Sequence, residues 1–186
     1  MERCLTGDAI RIPTRAVREG AGELPPRAEA AWWFDELRLP VYRYLVCNGL
    51  GAADAEEIVQ ETFLRLYRHL VRRGSRTNLR AWIFEVARNA ARDRRKSSQS
   101  QRTVSLDPEP GIADPQAGPE DRAILQERER RLQSAIQRLS RQQRECILLR
   151  ISGLRYREIA EVLGINTASV GELVDRAIAH LSEDVP

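Results

Sequence analysis

Apolar residues recur three and four positions apart along two stretches of this chain, and a proline-rich stretch with few of them lies between. From Glu29, the residues Ala31, Phe34, Leu37, Val41 and Leu45 keep helical spacing, with Pro40 as a kink or break. Asn48-Gly49 and Gly51 then signal a stop. A second helix is expected from Asp54, which with Glu57 has the spacing of a capping box. Its apolar stripe is Ala55, Ile58, Val59, Thr62, Phe63, Leu66, Tyr67 and Leu70, running to about Arg73 before Gly74-Ser75. A third helix places Trp82, Ile83, Val86, Ala87 and Ala90 on its apolar side, so Trp82 reads as core. Arg80, Arg88, Arg92, Arg94, Arg95 and Lys96 fall elsewhere on it. Three such helices with short connections make one small domain.

Residues 97–119, SSQSQRTVSLDPEPGIADPQAGP, have a linker's composition. Beyond them Ala123, Leu125, Leu132, Ile136 and Leu139 mark a helix, and Ser140 is placed to cap the next. That helix carries Cys146, Ile147, Leu148, Leu149 and Ile151 and stops at Gly153. Residues 156–181 have the form of a helix-turn-helix. Ile159, Ala160 and Leu163 face inward, Gly164 takes a left-handed turn, Ile165 plugs the core, and Thr167 caps the second helix. Val170, Val174, Ile178 and Leu181 are expected to face inward as well. An ordinary helical hairpin shares part of this pattern. The fold expected is all-α: a mobile extension at 1–28, a helical domain at 29–97, a flexible linker at 98–119, and a second helical domain at 120–186.

Charge sharpens this picture. The whole chain has 30 basic and 27 acidic residues, but residues 65–102 hold 12 basic against 2 acidic ones. All the excess positive charge therefore sits on the third helix and its flanks, as a phosphate-contacting surface requires, although a solvated helix face looks alike. Cys4, Cys47 and Cys146 are too few and too scattered for a disulfide framework or a zinc site, which fits a reduced cytoplasmic compartment. No apolar run approaches a membrane span, and no secretory apolar segment opens the chain. Only His69 and His180 are present, with no phosphate loop or nucleophile elbow, so no catalytic residue and no cofactor is expected.

Three stretches together resemble a known family. FDELRLPVYRYL with DAEEIVQETFLRLYRHL, then NLRAWIFEVARNAARDRRK, then RLQSAIQRLSRQQRECILLRISGLRYREIAEVLGI are similar to sigma-70 family sigma factors of the extracytoplasmic-function (ECF) group. The match covers roughly residues 31–97 and 122–182. The resemblance implies a region 2 bundle and a region 4 helix-turn-helix. It also implies a subunit that binds core RNA polymerase and directs promoter recognition, DNA melting and transcription initiation. Glu57, Gln60, Glu61 and Leu64 would dock on the clamp helices of the largest polymerase subunit. Arg76, Asn78, Arg80, Asn89, Arg92, Arg95 and Lys96 would handle the minus-ten element, with the Gly74–Asn78 loop holding an unstacked base. Arg155, Arg157, Asn166, Thr167, Ser169 and Arg176 would contact the minus-thirty-five element. The polymerase flap and an anti-sigma regulator are further implied partners, and the linker would thread the polymerase near the RNA path.

One helix departs from the family pattern. Where a basic series is usual, residues 168–178 read ASVGELVDRAI, so Gly171, Leu173 and Ile178 replace cations and Arg176 stands beside Glu172 and Asp175. This helix therefore reads an unusual element, docks on the flap, or binds a regulator. A free-standing helix-turn-helix regulator, which needs no exposed Glu57-Gln60-Glu61 row, is the rival reading. A protein-binding adaptor that melts no promoter is another.

Overall fold

A computed structural model describes residues 24–98 and 134–184, and every regular element among them is an α-helix. The expected extension up to residue 23, the linker from residue 99 and the helix expected around Ala123–Leu132 lie outside the described residues. The first domain comprises α1 (Pro26–Cys47), α2 (Ala52–Val71) and α3 (Leu79–Ser98). The second comprises α4 (Arg141–Ile151), α5 (Tyr156–Leu163) and α6 (Thr167–Asp184), with a helical turn at 134–138 before them.

α1 starts at Pro26, inside the stretch that apolar periodicity assigns to the extension. Proline suits the first helical position because its missing N–H has no intrahelical partner there anyway. Pro40 does not break the helix, which runs on to Cys47. Fully buried Leu37 and Val41 flank it and hold the helix against its neighbours despite the lost backbone bond. The buried face is Ala30, Trp33, Leu37, Val41, Tyr44 and Leu45. It is rotated from the expected one, since Ala31 is exposed and Phe34 only meets Phe63 edge-on, centroids 5.2 Å apart.

α2 begins two residues ahead of Asp54, capped by Gly51 with no side-chain bond. Asp54 is thus not the cap; from within the first turn its carboxylate favours the helix dipole and pairs with Arg94 at 3.1 Å. Ala55, Ile58, Val59, Thr62, Phe63, Leu66 and Leu70 are buried as the stripe predicts. On α3 the buried set is Leu79, Ala81, Ile83, Phe84, Ala87 and Ala91. Phe84, absent from the sequence-based stripe, is fully buried edge-on to Tyr44 at 5.6 Å. Trp82, Val86 and Ala90 are half-buried, and Trp82 and Ala90 pack against the edge of the core rather than inside it.

In the second domain Ser140 caps α4 as expected. Its Oγ accepts from the Gln143 N–H at 3.3 Å, and Gln143 Oε1 accepts from the Ser140 N–H at 2.9 Å. Gly164 closes α5 at φ +69°. The cap of α6 is Asn166 rather than Thr167: its Oδ1 accepts from the Ser169 N–H at 2.7 Å. α6 buries Val170, Val174 and Ala177, whereas Ile178 is 52% exposed instead of facing inward.

The two domains pack directly on one another, α3 against α5 and α1 against α4. Arg88 on α3 donates from Nε to Glu145 Oε2 at 3.2 Å and from Nη1 to the Val162 carbonyl at 3.3 Å. Arg80 donates to the Ser152 carbonyl at 3.0 Å. Both guanidiniums thus meet the carbonyl ends of α4 and α5, where the helix dipole attracts cations.

Candidate nucleic-acid interface

The outer face of α2 carries Glu57, Gln60 and Leu64 exposed and Glu61 half-buried, and Leu64 is 51% exposed. Val71 and Tyr67 continue this face as exposed apolar side chains. The apolar stripe places Tyr67 in the core and does not include Val71. Leu64 and Val71, off the buried stripe and seven residues apart, carry the signal that marks this face. Two of its carboxylates already have partners. Glu61 accepts from Arg65 Nε at 2.8 Å, which holds its carboxyl below the ordinary range. Glu57 lies 2.6 Å from Arg94 Nη2, and that bond, with Asp54 behind it, holds the Arg94 guanidinium more firmly charged.

The loop from Arg72 to Asn78 joins this face to the basic helix. Arg73 and Asn78 both adopt left-handed backbone, φ +56° and +54°, a conformation uncommon outside glycine that asparagine adopts more readily than most residues. The His69 Nε2–H donates to the Ser75 carbonyl at 2.8 Å, and its ring lies 4.8 Å from that of Trp82, tilted by 30°. Arg76, expected to contact DNA, donates from Nε to Glu29 at 2.9 Å; that carboxylate is buried.

The α3 cations divide into two groups. Arg80, expected at DNA, instead lies over the Trp33 ring at 5.9 Å and reaches α4, and burial lowers its pKa. Arg95, also expected at DNA, donates to the Asn48 carbonyl; its burial lowers its pKa too. Both are directed inward because the second domain covers that side of α3. Arg92 and Lys96 are exposed, with no ion pair among the described residues, and Asn89 beside them is half-buried. Of the α3 residues expected at the minus-ten element, these three remain accessible, as does Asn78 at the head of the helix.

The second domain offers less charge. Arg155 and Arg157 are exposed at the start of α5, Arg157 3.5 Å from Glu161. Asn166 and Thr167 are exposed and Ser169 half-buried at the start of α6, while Arg176 is 3.2 Å from Glu172. Among the described residues no His, Cys, Asp or Glu group could hold a metal ion. The Cys146 thiol is pushed up to about 11 by burial and by Glu145, which suits a packing role.

Comparison with known proteins follows the same division. The family model described as Sigma-70 region 2 matches residues 35–101, and that described as Sigma-70, region 4 matches residues 129–184. The chain is 32% identical over 184 residues to the ECF RNA polymerase sigma factor BldN of Streptomyces coelicolor, covering 96% of this chain and 67% of that protein. Among solved structures, it resembles the sigma factor RpoE of Bartonella quintana, in co-crystal with the anti-sigma factor NepR. The TM-score there is 0.61 and the identity 26%, over 84% of this chain and 94% of that one. CnrH, in complex with the cytosolic domain of CnrY, shares the fold at a TM-score of 0.59 and 24% identity, over 95% and 96% of the two chains.

Proposed function

Since this chain belongs to the ECF group of sigma-70 family sigma factors, we propose that it divides promoter opening among three of its surfaces. It is a sigma factor: it binds core RNA polymerase and directs promoter recognition, DNA melting and initiation, while the polymerase performs the chemistry. Glu57, Gln60, Glu61 and Leu64, extended by Tyr67 and Val71, form the dock for the clamp helices of the largest subunit. Asn78, Asn89, Arg92 and Lys96 handle the melted minus-ten element. Arg155, Arg157, Asn166, Thr167, Ser169 and Arg176 meet the upstream element or the flap. The domains run from the α1 start to residue 97 and from residue 120 onward, joined by the intervening linker.

The observation carrying this reading is the placement, on one small domain, of an exposed acidic-apolar row on α2 and of Arg92 and Lys96 on α3, which are exposed and have no ion pair among the described residues. A free regulator of duplex DNA has no use for the first of these. The packed arrangement adds a step. Elements named for positions ten and thirty-five lie about 25 base pairs apart, roughly 85 Å of B-form duplex. Domains joined through Arg88 and Glu145 do not span that distance, so they separate when both elements are engaged. The Bartonella quintana RpoE structure holds an anti-sigma factor, NepR, which supports an anti-sigma partner here as well. The site of action is the cytoplasm, where the polymerase is; no described helix is long and apolar enough to cross a membrane.

Open-complex formation on a pool of promoter fragments with purified bacterial core polymerase tests the reading. Melting that requires the protein and falls about tenfold or more with the Gln60→Ala, Glu61→Ala pair is the expected result. DNA binding that is indifferent to polymerase, with no melting, would overturn it.

A further inference from the structure

We infer that His69 and Glu29 are positioning residues that fix the α2–α3 loop from both sides, so that Thr77 and Asn78 form its base-reading edge. The inference rests on the sigma reading above, in which this loop receives one unstacked base of melted DNA. It assigns the reading to two adjacent side chains and the loop's shape to two residues remote from DNA.

The first tether starts in the last turn of α2. The His69 Nε2–H holds the Ser75 carbonyl at 2.8 Å, and the ring rests on Trp82. Gly74 passes so close over this ring that a Cβ there would collide with it. The histidine, the glycine and the half-buried tryptophan thus form one packed unit. The second tether starts in the first turn of α1. Glu29 is fully buried, and Arg76 Nε donates to its Oε2 at 2.9 Å. Its Oε1 and the Nε1 of Trp33 one turn on are both buried without a hydrogen-bond partner. A buried carboxylate is strongly unfavourable unless paired, so Arg76 is bound tightly to its place.

Between these tethers the chain is held in an uncommon shape. Ser75 Oγ accepts from the Thr77 N–H at 3.2 Å, and Asn78 keeps left-handed backbone immediately before α3. Thr77 and Asn78 are exposed and their side chains make no hydrogen bond among the described residues. A hydroxyl beside an amide offers donors and acceptors to the edge of a single base. A loop already ordered loses little conformational freedom on capturing it.

The test uses holoenzyme assembled from the full chain on promoter fragments randomised across the minus-ten element. Fragments melted, detected by permanganate at unpaired thymines, are sequenced. The wild type is expected to enrich a defined base. His69→Ala should flatten that preference about fivefold at one position, the effect of losing one hydrogen bond. Core-polymerase affinity should stay unchanged. His69→Gln, which keeps an N–H for the Ser75 carbonyl, should recover most of the preference, and Glu29→Gln should weaken it to an intermediate degree. If Glu29→Gln fails to fold, the His69 pair decides alone. Unchanged base preference in His69→Ala, with only yield or thermal stability reduced, would make the tether merely structural and overturn the inference. A wild-type holoenzyme that melts no fragment would remove the sigma reading itself, and the inference with it.

Discussion

Helices α3 and α6 are the two helices proposed to meet DNA, and they hold their charge in different ways. α3 is rich in cations but spends most of them on partners within the protein. Arg80 and Arg88 bind the second domain, Arg95 binds the Asn48 carbonyl, and Arg94 pairs with α2. Arg92 and Lys96 are left exposed. α6 has one arginine, Arg176, held by Glu172 on the same helix. Phosphate attraction therefore depends on which cations lack an internal partner, and a segment's net charge overstates it. The residues best placed to bind the polar ends of α4 and α5 are arginines, whose fork can serve two acceptors at once, as Arg88 does with Glu145 and the Val162 carbonyl.

Removing Glu145 tests the inward half of this comparison and should have the largest effect. Its buried carboxylate accepts from Arg88 across the domain boundary and from Arg141 on its own helix, both at 3.2 Å. Glu145→Ala leaves two guanidiniums without that partner, and ~2 kcal/mol of stability should be lost, roughly 4–8 °C in melting midpoint. The domains should also separate, seen as a larger radius of gyration in small-angle scattering. An unchanged radius would mean that apolar packing alone holds the closed form, and that the inward arginines of α3 are not its fasteners.

The same division between near and distant partners explains what is legible in the sequence. The helix order, the buried stripe of α2, the Ser140 cap and the Gly164 turn all follow from short-range spacing, and the structure contains them. The buried faces of α1 and α3 depart from their periodicity because both helices bury more than one side, against each other and against the second domain. Trp82 packs at the edge of the core, and the ring of His69, thirteen residues away, half-covers it. Arg76, Arg80 and Arg95 are legible as cations, but their internal partners are not, since Glu29, Ser152 and Asn48 lie 47 or more residues away. Asn166 displaces Thr167 as the cap because its short amide reaches the Ser169 N–H from one position earlier.

A second prediction sets the outward cations of α3 against an inward one. Replacing Arg92 and Lys96 by Ala together should make the salt dependence of promoter binding shallower by about 1.4 to 1.8 in the slope of log K against log salt. Affinity at low salt should fall about tenfold, with little change in thermal stability. Arg95→Ala should do the reverse, leaving the slope intact while lowering stability by ~1 kcal/mol, because the Asn48 carbonyl of the same domain loses its donor. Titrations of holoenzyme on one promoter at several salt concentrations, beside thermal melts of the free chain, would measure both. Equal slopes for the two variants would break the distinction between inward and outward cations.

The smallest effect is expected on α6. Glu172 and Arg176 are two-thirds exposed, so their bond contributes only about 0.3–0.5 kcal/mol, and Glu172→Gln should hardly move the melting midpoint. The substitution does release Arg176 and removes a negative charge from the helix that would enter the major groove. Affinity of the holoenzyme for an upstream duplex at low salt should rise no more than about threefold, since one freed cation adds at most one phosphate contact. A rise of tenfold or more would mean that Glu172 restrains a competent reading helix, and α6 would then belong with α3. No rise at all would mean that duplex DNA does not meet this face. Leu173 and the half-exposed Ile178 would then be better explained by a protein surface, the flap or a regulator, since apolar side chains gain most where water is excluded.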